Sequence, residues 1–258
     1  MIEHPHDDDA PIGRILTRRE AVVLLGGAGA AGFLSLSGCT SGSQGNSAIA
    51  ATTDNSGSTA TCAAKPEMTE GPYFVDEKLN RADIRSDASS GAVKPGALLT
   101  LTFNVSRIQA GACTPLPNAQ VDLWHCDAAG VYSDAADPSF NTRGQNWLRG
   151  YQLTNADGVA KFSTILPGWY RGRATHIHFK IRGKNSSGSP FDFTSQLFFG
   201  EPFLASAYNL PPYDSRSDSG RTRNARDGIY NRGGSELLVT PASANGAYSA
   251  SFNIGLDV

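Results

Sequence analysis

Histidine is scarce in this chain: there are five in 258 residues, and two of them, His4 and His6, precede a leader that export would remove. His125, His176 and His178 are all that a mature domain keeps, so chemistry needing several imidazoles has few places to be. An excess of one charge is also missing. The formal net charge is −2, and removing residues 1 to 38 takes away three arginines and five acids, leaving 19 of each sign. A balance so close to zero excludes the basic surface that a nucleic-acid partner demands. No apolar run reaches the roughly 20 residues that a bilayer-spanning helix needs. The best, Ala21 to Leu36, is interrupted by Gly26, Gly27, Gly29 and Gly32. Cysteine is limited to four. If Cys39 is taken up by lipid, Cys62, Cys113 and Cys126 remain, an odd number that permits at most one internal disulfide in an oxidising compartment. The expected pair is Cys62 with Cys126, with Cys113, in a Gly-Ala-Cys-Thr-Pro turn, left as a free exposed thiol.

What is present begins with an export signal. Thr17-Arg18-Arg19-Glu20 precedes the apolar run, and Leu36-Ser37-Gly38-Cys39 follows it, an order of charged head, hydrophobic middle and small-residue exit. The paired arginines read as a twin-arginine signal over residues 1–38. Leu-Ser-Gly-Cys resembles a bacterial lipobox, which implies cleavage before Cys39 and acylation of its thiol. Twin-arginine export carries folded proteins, so a metal loaded in the cytoplasm fits that route. Residues 39–60 are Ser, Gly, Thr, Asn and Ala with almost no large apolar side chain, a flexible tether.

Residues 61–258 read as one globular all-β domain. The 28 glycines and 14 prolines suit a loop-rich chain. Leu99 to Val105 alternates as a half-buried strand, and Ala119 to His125 is expected to answer it as an antiparallel partner. Arg149 to Thr154, the Asn155-Ala156-Asp157-Gly158 turn and Val159 to Ile165 read as a hairpin. Strands are also expected at Thr175–Arg182, Ser195–Phe199, Glu236–Thr240 and Ala247–Ile254, with one short helix at Glu201–Ala207. Such a succession predicts a single β-sandwich with long loops.

The chemistry concentrates between Pro167 and Phe179. In a strand successive side chains alternate faces, so His176 and His178 point the same way and can reach one ion while Ile177 turns to the core. With so few histidines in the chain, an adjacent pair on one face reads as a metal site.

Four motifs in order, T-E-G-P-Y from Thr69, A-Q-V-D-L-W-H-C-D-A-A-G-V-Y-S ending at Ser133, L-P-G-W-Y-R-G-R ending at Arg173, and H-I-H-F-K from His176, resemble the intradiol ring-cleavage dioxygenases, most of all their exported members. The resemblance spans roughly residues 62 to 255. It implies one Fe(III) per chain held by Tyr132, Tyr170, His176 and His178, and cleavage of a catechol-type diol between its two hydroxylated carbons with O2, giving a muconate-type diacid, a reaction of aromatic catabolism. Hard phenolates suit a hard trivalent cation, and two tyrosinates with one hydroxide balance its charge. A diol arriving as a dianion then displaces one tyrosinate and the hydroxide without changing that balance. The departing role falls by resemblance to Tyr170. Arg173 matches an arginine that stabilises the carbanion-like substrate, and Gln196 a glutamine near the metal. Gly71, Pro72, Tyr73 and Trp124 match a pocket wall, although Trp124 also suits a core position. His125 and Arg171 read as structural and surface residues. The rival readings are a non-catalytic β-sandwich lipoprotein that binds a ligand or partner, and a zinc or copper site using only His176 and His178.

The lipobox is open to a direct check. Wild-type protein should partition with membranes, and Cys39→Ala should release it or block its processing. Wild type found wholly in the soluble fraction, with an N-terminus elsewhere, would reject the assignment.

Overall fold

The computed structural model describes residues 63–258; the leader and the whole tether, with Cys39 and Cys62, lie outside the described residues. Strand β1 (Leu98–Gln109) buries Leu99, Leu101, Phe103 and Val105 and leaves the residues between them half exposed, as a period of two dictates. It is the hub of the first sheet. On one side it pairs in parallel with β12 (Ala247–Leu256), from Leu99 opposite Tyr248 to Arg107 opposite Leu256. On the other it pairs antiparallel with β7 (Val159–Ile165) along its first half and with β2 (Ala112–Pro115) along its second. A short β11 (Ala242–Ala244) edges β12.

The second sheet is centred on β8 (His176–Lys184), flanked by β9 (Pro190–Phe199) and β3 (Gln120–Trp124), with β6 (Arg149–Leu153) beyond β3 and β10 (Leu238–Val239) beyond β9. Between the sheets runs an aromatic seam. Phe103 and Phe252 from the first sheet meet Phe179 from the second at ring-centroid distances of 5.3 and 5.5 Å, and Phe162 closes on Phe103 at 6.1 Å. Each ring fully buried there contributes about 1.5–3 kcal/mol relative to exposure. The architecture is the expected all-β sandwich, and helix α1 (Glu201–Ala207) falls at its expected residues, with proline in its first turn.

Three expectations about pairing and extent fail. The Leu99–Val105 and Ala119–His125 segments are not partners, because β1 and β3 belong to opposite sheets. The Asp157-Gly158 turn forms, with Gly158 N donating to Asn155 O at 3.0 Å, but it carries the chain from β6 in one sheet to β7 in the other and closes no hairpin. Glu236 lies in a 3-10 turn over Gly234–Leu237, so the expected strand is reduced to the two residues of β10. The cysteine assignment is also reversed. Cys126 is a free thiol buried at the end of β3 and Cys113 is the disulfide-bonded residue, its partner lying outside the described residues. Cys126 is held among Trp124, Tyr132 and Ala135, where it packs as a small apolar side chain.

Two features cover the outer face of the second sheet. A strap over residues 66–74 is laid along β9, with Met68 N donating to Thr194 O at 3.0 Å and Ser195 Oγ to Pro66 O at 2.7 Å. The excursion between β3 and β6 carries a small ribbon, β4 (Ala136–Asp137) paired with β5 (Phe140–Asn141). The outward residues of β8 are therefore buried as well as the inward ones, and they are the polar ones.

His125 is structural, as expected. Its Nδ1 lies 2.7 Å from Cys126 O and its Nε2 lies 2.6 Å from Thr164 Oγ1, so it ties the end of β3 to β7 in the facing sheet. Burial holds its pKa down to about 4, against about 6.5 in an unfolded chain. Between those values the unfolded chain binds the extra proton, so this contribution to stability is complete above pH 6.5 and is lost as pH falls towards 4, about 3 kcal/mol in all. Guanidinium unfolding at pH 7 and pH 4.5 should show that loss, and His125→Gln should show a smaller pH dependence. An equal pH dependence in both proteins would rule out this assignment.

Candidate metal centre

Strand β3 ends beside the start of β8, with Trp124 opposite His178 in register. The loops that leave β3 and enter β8 therefore start from the same end of the sheet, and each carries one tyrosine. They are held side by side through backbone. Gly168 N donates to Asp127 O at 3.1 Å, and a Cβ at Gly168 would lie 2.2 Å from Ala128 O, so only glycine lets the Tyr170 loop approach the Tyr132 loop this closely. Asp127 shapes its own turn by accepting from Ala129 N and Val131 N at 2.9 and 3.0 Å, and Lys94 pairs with it at 2.9 Å. Arg149, almost wholly buried, braces Tyr132 from behind: it donates to Ser133 Oγ and Ser133 O at 2.8 and 2.6 Å and to Tyr73 O at 2.5 Å.

Four donor atoms then converge. His176 Nε2 lies 3.0 Å from His178 Nε2 and 3.4 Å from each of Tyr132 Oη and Tyr170 Oη. Separations of that size are what a first-row metal ion with bonds of roughly 2 Å requires of its donors. The tautomer of His176 is set, because its Nδ1 donates to Ala174 O at 2.6 Å and leaves the Nε2 lone pair facing the cluster. Protonation points the same way. Burial, followed by the charge of Arg173, holds His176 down to about 3, and burial followed by His176 holds His178 well below its usual value. Both imidazoles are thus neutral donors at neutral pH. Burial, reinforced by Tyr170, keeps the Tyr132 phenol well above 10, so its proton is surrendered only to a strongly charged cation. Two phenol oxygens and two neutral nitrogens form a hard donor set that fits a ferric ion.

The two tyrosines differ in access. Tyr132 is 1% exposed, whereas Tyr170 is half-buried and lines a cavity of about 700 Å³ together with Tyr73, Phe140, Trp169, Arg173 and Ile229. Arg173 is fixed at two of its three nitrogens. Its Nε donates to Asp227 Oδ2 at 3.0 Å and its Nη2 to Gln196 Oε1 at 2.6 Å, while Nη1 is buried without a hydrogen-bond partner among the described residues. Burial opposes its charge, but Tyr170 and Asp227 outweigh that and hold the guanidinium above its usual pKa. Gln196 in turn donates to Thr69 O at 2.8 Å.

Of the residues expected in a pocket wall, Tyr73 lines the cavity and stacks on Tyr132 at 4.4 Å. Gly71, Pro72 and Trp124 do not line it. Gly71, at φ +70°, abuts the His178 ring, Pro72 is exposed, and Trp124 lies buried behind His178. Arg171 is exposed at the cavity mouth. Sequence reasoning missed Asp227. Its carboxylate is 1% exposed and accepts from Arg173 Nε, Ala174 N, Ile229 N and Tyr230 N, which outweigh the effect of burial and lower its pKa. It sits in a stretch so rich in Asp, Arg, Asn and Gly that no local pattern separates it from a solvated loop. Arg216, which donates to Trp169 O at 2.7 Å and lies 3.9 Å over the Trp169 ring, was missed for the same reason.

A family model described as Dioxygenase matches residues 69–209. The chain is 33% identical over 143 residues to the protocatechuate 3,4-dioxygenase beta chain of Burkholderia cepacia, covering 52% of this chain and 59% of that protein. It is 27% identical over 161 residues to catechol 1,2-dioxygenase 2 of Acinetobacter lwoffii, covering 54% and 53%. The matches thus span a little over half the length of these curated relatives. Among solved structures, an intradiol ring-cleavage dioxygenase from Tetranychus urticae aligns with TM-score 0.64 and 29% identity over 75% of this chain and 94% of its own. The dioxygenase domain of a carbohydrate-binding fusion from Streptomyces sp. SirexAA-E aligns with TM-score 0.52 and 29% identity over 76% and 99%.

Proposed function

The chain belongs to the intradiol ring-cleavage dioxygenase family, and from that premise we propose that it cleaves a catechol-type diol between its two hydroxylated carbons, placing both atoms of O2 in a muconate-type diacid. The observation that carries the reading is the convergence of Tyr132 Oη, Tyr170 Oη, His176 Nε2 and His178 Nε2 on one point beside a cavity. One ferric ion held by these four residues would supply the Lewis acidity that takes up the diol as a dianion and opens its ring to O2.

The chain's own residues divide the remaining work. Tyr170, the tyrosine with access to the cavity, is the ligand suited to withdraw, and its phenolate oxygen would take one of the two diol protons as it goes. Tyr132, enclosed by Tyr73 and Arg149's contacts, would stay in place. Arg173 is held rigid by Asp227 and Gln196 and keeps one buried donor uncommitted, so it can stabilise negative charge developing on the ring without reorganising first. Asp227 keeps that cation charged and aimed. Tyr73 and Phe140 supply apolar surface to an aromatic ring. No external reductant is needed, since a diol plus O2 has the composition of the diacid. On the sequence alone we also propose export by the twin-arginine route and anchoring at Cys39.

Two variants separate ligand from helper. His178→Ala removes a neutral donor that His125, committed to Cys126 and Thr164, cannot replace, so iron content and oxygen uptake should fall together. Arg173→Ala leaves all four donors, so iron should remain while catechol turnover falls by roughly 10²-fold or more. Iron per chain, oxygen uptake and product identity check both. Near-normal turnover in Arg173→Ala would remove Arg173 from the mechanism, and a wild-type protein that takes up iron but consumes no O2 with any simple diol would overturn the activity.

A further inference from the structure

We propose that Trp124 is a positioning residue for His178, its indole face fixing the plane of an imidazole whose outer nitrogen, Nδ1, has no hydrogen-bond partner among the described residues. This rests on the reading of the four donors as a ferric site. The two histidines are supported differently. His176 is tethered at the ring nitrogen away from the cluster by Ala174 O. His178 Nδ1 is buried with no hydrogen-bond partner among the described residues, so nothing of that kind sets the rotation of its ring.

What the ring does have is Trp124 on one face, with centroids 5.0 Å apart and planes within 6°. The indole nitrogen is likewise buried without a partner among the described residues, so the pair is held by overlap of the rings and not by a polar contact. At the edge of the imidazole stands Gly71, where a Cβ would come within 3.2 Å of His178 Cε1. Phe74 packs on Trp124 in turn, at 4.8 Å, and closes the stack. An imidazole bound to a cation is electron-poor, and the face of tryptophan is the strongest aromatic partner for positive charge. The stack therefore supports His178 as a carbonyl supports His176: it fixes the plane in which Nε2 can reach the metal.

The test uses iron-loaded wild type, Trp124→Phe and Trp124→Leu, with Phe162→Leu, an aromatic core change in the other sheet, as the control for stability loss alone. Iron per chain, the rate of iron loss to a chelator and the rhombicity of the ferric electron paramagnetic resonance signal are measured beside the thermal midpoint. Trp124→Leu should release iron about tenfold faster or more, the scale for losing an outer support of a metal ligand, with an altered rhombicity. Trp124→Phe should stay close to wild type, and Phe162→Leu should release iron at the wild-type rate despite a lowered midpoint. A folded Trp124→Leu that holds iron like the control overturns the inference and leaves the ferric reading intact. Should Trp124→Leu not fold, Gly71→Ala presses on the same ring from its edge and should shift the same signal; an unchanged signal and release rate there overturn the inference equally. Wild type that takes up no iron overturns the ferric reading itself, and the inference with it.

Discussion

Burial of β8 on both faces is the constraint on which the rest of the molecule depends. An ordinary sandwich strand alternates core and solvent, but here Ile177, Phe179 and Ile181 enter the seam between the sheets while His176, His178 and Lys180 enter a second, covered layer. Buried polar groups must find partners or cost several kcal/mol each. The strap and the neighbouring strands answer that need along the strand: Glu70 of the strap and Asp192 of β9 pair with Lys180, and Asp76, just past the strap, and Asp122 of β3 pair with Arg182. At His176 and His178 the partners are each other and two tyrosines, a group of donors with little to donate to except a cation.

Electrostatics of the covered layer follow from the same burial. Burial favours the uncharged forms of Tyr132, His176 and His178, which keeps the imidazole lone pairs free and the Tyr132 proton on. The nearest fixed charges, Arg149 and Arg173, are each nearly enclosed. Arg149 is spent on backbone and hydroxyl oxygens that shape the Tyr132 loop, and Arg173 is balanced by Asp227 while retaining one donor without a partner among the described residues. One buried arginine thus builds the site and the other is placed to act in it. The distinction rests on what occupies their nitrogens, since their burial is alike.

Much of this was legible in residue order. Alternation placed the strands and put His176 and His178 on one face, whereas the two tyrosines, one of them 44 residues from His176, were located only by the motifs that resemble the family. Partnership between strands was not legible. Alternation says which side chains of β1 face inward, but not that its partner is β12, some 150 residues away. The Asp-Gly turn has the same local chemistry whether it closes a hairpin or crosses between sheets. The disulfide was misassigned for a related reason: whether a thiol is enclosed depends on what covers the strand end, and the Cys126 environment is built by Tyr132 and Ala135 from a later loop. Asp227 and the stacking of Trp124 on His178 are tertiary facts that no local pattern carries.

The central claim is that four donors from this chain hold one ferric ion through two phenolates. The visible spectrum of the purified domain, from about residue 60 onward, tests it most directly, since tyrosinate-to-Fe(III) charge transfer absorbs broadly in the visible and a zinc site does not. A burgundy protein with about one iron per chain, whose visible band shifts when a catechol is added, is the predicted result. A folded, colourless protein carrying stoichiometric zinc would contradict it.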